Sequence, residues 1–431
     1  MPADDKLAPA PAVPSLSRAT RIARTICLGI AAAALAYLLF KTYQMSDRPG
    51  YDFRYIWAAG DLWLHGINPY DEVYHQIAAH KIDEGHKPEM WVYPPNWWIL
   101  SIPFGLLDLR AANVVWNVAN TALILGTCSL LSTAYITAFP AAAHALRHRI
   151  GVNPAIAIFS ALLFLTATLE ATGILYSVGQ TTLISTFGIA VMLRARVDGN
   201  TLAEAAGLAL VLTKPQIGLQ LAVLMLLLDA RSRRVLLYAM LISALLSVPA
   251  SIVAPTAILD FVHNVTNYDG FANNANLPQS MTGLRLALWE LFAHDTGNLI
   301  GTALSLAAMV LACTGPLRLC RAADPAVQAW QVLGLATAIV VAISPLHIYD
   351  FVLIVVVLPL LLRAGPGALI LALIGAALIW RSENLADFTG FHAPGVDIFP
   401  GSRIAMIGAF AFLLAVAATV LRLNRGTGPG T

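Results

Sequence analysis

Charge is scarce in this chain. Of its 431 residues only 12% are Asp, Glu, Lys or Arg, against about 25% in soluble domains. That deficit excludes a surface that meets water throughout. The formal net charge is only +2, so no strong polyanion-binding character follows. Cysteine is sparse too: Cys27, Cys128, Cys313 and Cys320 lie in or beside apolar stretches and form no CxxC or Cys/His metal pattern. They read as small buried residues. There is no HExxH or other metal-ligand spacing, and no Rossmann or P-loop glycine pattern. Neither a fixed-period repeat nor two symmetric halves can be seen, which weighs against the commonest transporter architectures.

What is present is apolar sequence, 58% by residue count, with a mean hydropathy of +0.71. A membrane-spanning helix needs about 20 mostly apolar residues. Stretches of that kind occupy 25–42, 113–133, 154–174, 178–193, 235–254, 298–316, 329–345, 347–363, 366–381 and 402–422. Two more, 97–107 and 203–229, are short or punctuated. The expected fold class is therefore an all-α polytopic membrane protein of roughly 10–13 membrane segments. Residues 1–24 form a Pro/Ala-rich, disordered N-terminus ending in Arg18, Arg21 and Arg24, residues 25–422 one transmembrane catalytic domain, and 423–431 a tail. The first apolar run resembles a signal peptide, but no clear small-residue cleavage site precedes Lys41. It reads as a retained first span with a cytoplasmic N-terminus, because cytoplasmic ends are rich in Lys and Arg.

Two long polar segments, 43–96 and 255–297, are then expected on the outer side, and the basic clusters Arg194/Arg196, Arg231/Arg233/Arg234 and Arg318/Arg321 on the inner side. One question of parity stays open. If Arg147 and Arg149 are also inside, 97–107 must re-enter; if it crosses, they are outside. Whether 203–229 crosses or re-enters is open as well.

Chemistry-bearing residues cluster where the apolar pattern breaks. Tyr51-Asp52-Phe53-Arg54 begins just after the first span. A carboxylate at that depth can take a proton from a hydroxyl; its bland reading is a helix-capping loop acid. Tyr93-Pro94-Pro95 precedes Trp97 and Trp98, whose rings suit the headgroup level, while the double proline fixes an extended backbone. Lys214-Pro215-Gln216 interrupts an apolar stretch. A lysine inside the membrane costs at least about 2.5–3.5 kcal/mol on insertion scales. It can bind a phosphate as a point charge or snorkel from a helix end. Gly179-Gln180-Thr181-Thr182 opens another span, where Gln180 can bond a substrate or a neighbouring helix. Ser344-Pro345-Leu346-His347-Ile348-Tyr349-Asp350 lies between two apolar helices, and His347 and Asp350 share a face if the second has begun.

These motifs, in this order, resemble glycosyltransferase family 87, the polyprenol-phosphate-mannose-dependent mannosyltransferases of the polytopic C-type superfamily. The resemblance rests on Asp52-Phe53, Ala58-Ala59, Gly66-Ile67-Asn68-Pro69-Tyr70-Asp71, Tyr93-Pro94-Pro95, Trp116, Gly179-Gln180, Lys214-Pro215-Gln216, Asn276-Leu277-Pro278-Gln279-Ser280 with Arg285, and Ser344-Pro345 with His347 and Asp350. It spans roughly residues 25–420. Two departures stand out: the late block is poorer in His and Trp than in many relatives, and the Asn-Gln-Ser triplet is only loosely met.

The resemblance implies a bundle with a long periplasmic first loop and an inverting, metal-independent transfer without cofactor. Mannose would pass from a polyprenyl-phosphate donor to a lipid or glycan acceptor, at the periplasmic face of a bacterial inner membrane. It implies Asp52 as base. His347 and Lys214 become candidates for the phosphate or for positioning; Gln180, Gln216, Tyr93 and Asp350 are further substrate-binding candidates, with Arg54 and Arg285 second in rank. A multi-pass transporter and a non-catalytic envelope-assembly protein are the alternatives; the acidic, aromatic first loop fits a transporter poorly.

Overall fold

Residues 18–71, 91–266, 281–291, 303–304, 307–308, 310–311, 316–391 and 400–425 are described by the structure, a computed structural model. Among them there are helices and turns and no strand. Among the described residues five helices are long and apolar enough to cross a membrane, or seven if each of two sharply bent pairs is one span. The first, α1 (Arg18–Met45), buries only Ala34, Leu38 and Thr42. Ile26, Leu39 and Phe40 are exposed, as suits a helix whose remaining faces meet lipid.

The end of α1 fixes where the next elements lie. After it come α2 (Tyr51–Leu64), a 3-10 turn (Pro95–Trp97), α3 (Trp98–Gly105) and α4 (Leu109–Ala138). Arg110 Nε meets Asp47 Oδ1 at 2.6 Å, and the Asn113 amide donates to the carbonyls of Met45 and Ser46. Helix α1 thus ends and α4 begins at one end of the bundle. Between them in sequence, α3 folds back on α2. A Cβ at Gly60 would lie 2.2 Å from the Ser101 carbonyl oxygen, and one at Gly105 2.3 Å from the Asp61 nitrogen. The stretch 97–107 therefore does not cross.

The other end of the bundle is basic. Helix α5 (Pro140–Ile150) lies at 86° to α6 (Pro154–Thr168). At their junction a Cβ on Gly151 would lie 2.4 Å from Thr20 Oγ1, so Arg147 and Arg149 belong to the end where α1 begins. Arg194, near the end of α8 (Thr182–Val197), donates to Thr137 at 3.0 Å. Between α6 and α8 runs the short α7 (Glu170–Val178), at the end away from the basic face.

Helices α9 (Thr201–Leu212) and α10 (Pro215–Leu228) form a hairpin. At about 1.5 Å per residue each is shorter than a hydrocarbon core of about 30 Å. Gly188 and Gly207 bring α8 and α9 together, since a Cβ on either would lie within 2.7 Å of the other's carbonyl oxygen. A Cβ on Gly218 would lie 2.6 Å from Leu212 Cα. Both ends of the hairpin meet in one ion network on the basic face. Arg196 donates to Glu204 at 2.9 Å and Asp229 at 3.0 Å, and Arg231 donates to Glu204 at 2.9 Å. Burial opposes ionisation of Asp229, yet the Ser232 backbone N–H and the Arg196 guanidinium hold its carboxyl below the usual range. The segment 203–229 is therefore re-entrant, with Lys214 at its tip. Glu204 is fully buried. Glu204→Gln should lower stability by about 1.5–3 kcal/mol, the scale of a hydrogen bond to a charged group. A thermal unfolding midpoint equal to wild type would show that the network does not hold the hairpin.

From the basic face α11 (Ala230–Val253) returns to the other end, followed by the amphipathic α12 (Ala257–Thr266) and α13 (Leu284–Leu291). The final elements are α14 (Pro325–Ile343), a 3-10 helix (Ile348–Val356), α15 (Leu358–Leu361), α16 (Pro366–Trp380), α17 (Ser382–Thr389) and α18 (Ser402–Arg425). The 347–363 stretch, expected as one apolar span, is thus a 3-10 helix with one short α-turn. At about 2.0 Å rise per residue, nine such residues cover about 18 Å. Gly-rich contacts again close the bundle: a Cβ on Gly375 would lie 2.8 Å from the Gly408 carbonyl oxygen, between α16 and α18.

Candidate active site

The breaks in the apolar pattern converge at the end of the bundle opposite the basic face. Helix α7 stops at Gly179, whose φ of +78° is left-handed and suits glycine. The start of α2 is pressed into this stop. A Cβ on Gly50 would lie 2.4 Å from the Val178 carbonyl carbon, and one on Gly179 2.5 Å from Phe53 Cβ. Phe53 is fully buried, stacked on Trp116 with ring centroids 5.4 Å apart and edge-on to Phe104 at 5.5 Å. So anchored, α2 presents half-buried Asp52 in its first turn, where the helix dipole favours a negative charge. Gln180 Nε2 donates to Asp52 Oδ2 at 2.6 Å.

The hairpin tip enters from the other side. Pro215 occupies the first position of α10, where its missing N–H costs no helix bond. The Trp97 indole donates to the Thr213 carbonyl at 2.7 Å, locking the tip to the Tyr93-Pro94-Pro95 segment. Trp97 is fully buried, so its ring packs against protein and not against lipid headgroups. Lys214 is 1% exposed and donates to Gln180 Oε1 at 3.2 Å, Thr182 Oγ1 at 2.6 Å and Asp350 Oδ1 at 2.5 Å. An ammonium has three protons to donate, and three acceptors surround this one.

The third contribution comes from the break after α14. Asp350 is fully buried; Oδ1 accepts from Lys214 and from Thr182 at 2.5 Å, and Oδ2 from the His347 backbone N–H at 3.1 Å. The Tyr349 hydroxyl accepts from Gln180 at 3.1 Å, and its ring centroid lies 4.9 Å from Lys214 Nζ and 5.1 Å from the His347 ring. Thr282 docks on this break through two bonds to the Leu346 carbonyl, at 2.7 Å from its backbone N–H and 2.9 Å from its hydroxyl. Gly283, at φ +81°, follows against the Ser344 carbonyl, 2.1 Å from where its Cβ would be. That contact brings the start of α13, and Arg285, to the same break; the Arg285 side chain lies outside the described residues, as do residues 276–280.

Asp52, Gln180, Lys214, His347 and Asp350 are thus assembled in one cluster. Gln216 is not: it is exposed, one residue past Pro215. Tyr93 stands between Trp91 and Trp97 with tilted rings, centroids 4.9 and 4.8 Å away, and its carbonyl accepts from the Tyr70 hydroxyl at 2.6 Å. Arg54 Nε donates to the Pro49 carbonyl at 3.1 Å, at the turn leading into α2. The segments at this end are laced together: Asn68 donates to Asp260 at 2.7 Å, and Asn264 to the Trp91 carbonyl at 3.2 Å. Thr182 and Tyr349 were not singled out from sequence, although each sits inside a motif that was. Among the described residues no group of three or more His, Cys, Asp or Glu side chains is placed to hold a metal ion.

A family model matches residues 91–345, more than half of the chain. The chain belongs to glycosyltransferase family 87. No relative among curated proteins matches it. As a family 87 member with several apolar spans, it is a membrane glycosyltransferase. The matched span holds Gln180, Thr182 and Lys214; Asp52, His347 and Asp350 lie outside it and join it through the bonds above. A transferase needs a donor, an acceptor and a group to take the acceptor's proton, and Asp52 is the half-buried carboxylate of this cluster.

Proposed function

We propose that this glycosyltransferase moves mannose from a polyprenyl-phosphate carrier to a lipid or glycan acceptor on the periplasmic face of a bacterial inner membrane. The observation that carries the reading is the Asp52 carboxylate, held by Gln180 at the end of the bundle away from the arginine-rich face. Arginine-rich ends stay on the cytoplasmic side of a membrane, so the Asp52 end faces outward. Nucleotide sugars are made inside, and a lipid-borne donor removes the need to bring one across.

In the proposed reaction the acceptor hydroxyl oxygen attacks the anomeric carbon. The bond from that carbon to the carrier phosphate oxygen breaks, and the phosphate leaves with the electron pair. Asp52 takes the hydroxyl proton, and the anomeric centre inverts. Negative charge grows on the phosphate, so cations there contribute most. His347, Arg54 and Arg285 are the proposed contacts, with His347 also able to pass a proton. No step assigned to these residues calls on a metal ion.

The test is incorporation of labelled mannose from its polyprenyl-phosphate carrier by membranes that contain or lack the protein. Incorporation should require the protein. Equal incorporation by both membranes would remove this donor from the reading, while family membership and the general transferase assignment would remain.

A further inference from the structure

We propose that Lys214 is a positioning residue: it sets the amide of Gln180, and through it the Asp52 carboxylate, and does not hold the donor phosphate. The inference rests on Asp52 being the base of the proposed reaction. Its starting point is donor arithmetic. Lysine donates and never accepts. Lys214 Nζ is surrounded by Gln180 Oε1, Thr182 Oγ1 and Asp350 Oδ1 at 3.2, 2.6 and 2.5 Å, and its side chain is 2% exposed. A phosphate would have to displace one of those partners and enter a closed space.

The consequence falls on Gln180. Its two ends, oxygen and NH2, are nearly isosteric, so the network decides which way the amide points. With Lys214 beside it, the oxygen must face the ammonium. The NH2 group then faces away, and its two protons reach Asp52 Oδ2 at 2.6 Å and the Tyr349 hydroxyl at 3.1 Å. The reversed amide would set NH2 against the ammonium and oxygen against the Asp52 carboxylate, two repulsions in place of two bonds. Lys214 thereby fixes which oxygen of Asp52 is held and in which direction the carboxylate points. Asp350 is the counter-ion that permits a lysine to be buried here, and Thr182 bonds both partners.

Three variants of the full chain in proteoliposomes test this, with polyprenyl-phosphate mannose as donor. Gln180→Met removes the amide and leaves the Lys214–Asp350 ion pair whole. Lys214→Met/Asp350→Asn removes both charges together, so no buried charge is stranded. The third variant combines all three changes. Each of the first two should lower kcat by about tenfold to 10²-fold, the scale of a small misplacement of a reacting group. KM for the donor should stay within about twofold. The combined variant should be no slower than the worse of the two, because both cut the same chain. Thermal midpoints serve as the folding control, and if the charge-free pair is less stable its kcat and KM are read below its own midpoint, against wild type at the same temperature. A raised donor KM with kcat kept in Lys214→Met/Asp350→Asn, not copied by Gln180→Met, would make Lys214 a donor ligand and overturn the proposal. So would losses that multiply in the combined variant. Wild-type protein with no transfer from this donor at all would instead sink the reaction reading, and the assignment of Lys214 with it.

Discussion

Asp52→Asn is expected to abolish most sugar transfer, by about 10²-fold or more, while leaving the protein folded and inserted. The substitution is nearly isosteric. Its amide oxygen still accepts the bond that Gln180 now gives Asp52 Oδ2, and the packing of Gly50 and Phe53 against the Val178–Gly179 turn does not involve the carboxylate. The capacity to take a proton is lost, together with a negative charge whose interaction with the α2 dipole is worth about 0.3–1 kcal/mol, too little to unfold the protein. The comparison is kcat at saturating donor and acceptor, with the thermal midpoint alongside. Turnover within a few-fold of wild type would remove Asp52 from the chemistry.

The second large effect is on stability. Asp350→Ala strands the Lys214 ammonium in the bundle, removes the acceptor of Thr182 and leaves the His347 backbone N–H without its carboxylate. Removing one partner of a buried ion pair costs about 3–5 kcal/mol, because the remaining charge keeps its desolvation penalty without its counter-charge. The protein should lose cooperative unfolding or unfold at a clearly lower temperature. Neutralising both partners, as in Lys214→Met/Asp350→Asn, should recover most of the loss. Asp350→Ala with a wild-type midpoint would show that the pair does not hold the three segments together.

Much of this site could be read from the places where apolar sequence stops being apolar. Gly179-Gln180, Lys214-Pro215 and His347 through Asp350 each interrupt a hydrophobic stretch, and an interruption that costly inside a membrane marks function or a partner. Which residues of each motif point inward could not be read. Lys214 and Gln216 flank one proline, yet Lys214 is buried and Gln216 exposed, because Lys214 is the extended residue before α10 while Gln216 is already the second position of the helix. Thr182 and Tyr349 carry no signal of their own. Their roles arise only when segments more than a hundred residues apart meet, as in the bond from Thr182 to Asp350 across 168 positions.

Topology was half legible for a similar reason. Loop charges marked the clusters that gather at one basic end, but two arginines could not settle whether 97–107 crosses. The decision lies in the Asp47–Arg110 pair and in Gly60 against Gly105, contacts that hydropathy does not report. The count of spans shifted where apolar stretches fold as half-length elements, such as the α9–α10 hairpin or the Ile348–Val356 3-10 helix. A hydropathy window sees composition and cannot see a turn made by one lysine and one proline.

The central claim is that a lipid-borne sugar phosphate is the donor and that transfer takes place at the Asp52 end. The most direct measurement offers purified protein in vesicles two donors, polyprenyl-phosphate mannose and a nucleotide-activated mannose, with the same acceptor. The expected result is product from the lipid-borne donor alone, reduced about 10²-fold or more in Asp52→Asn. Product from the nucleotide sugar in the absence of any lipid carrier, undiminished in Asp52→Asn, would contradict it.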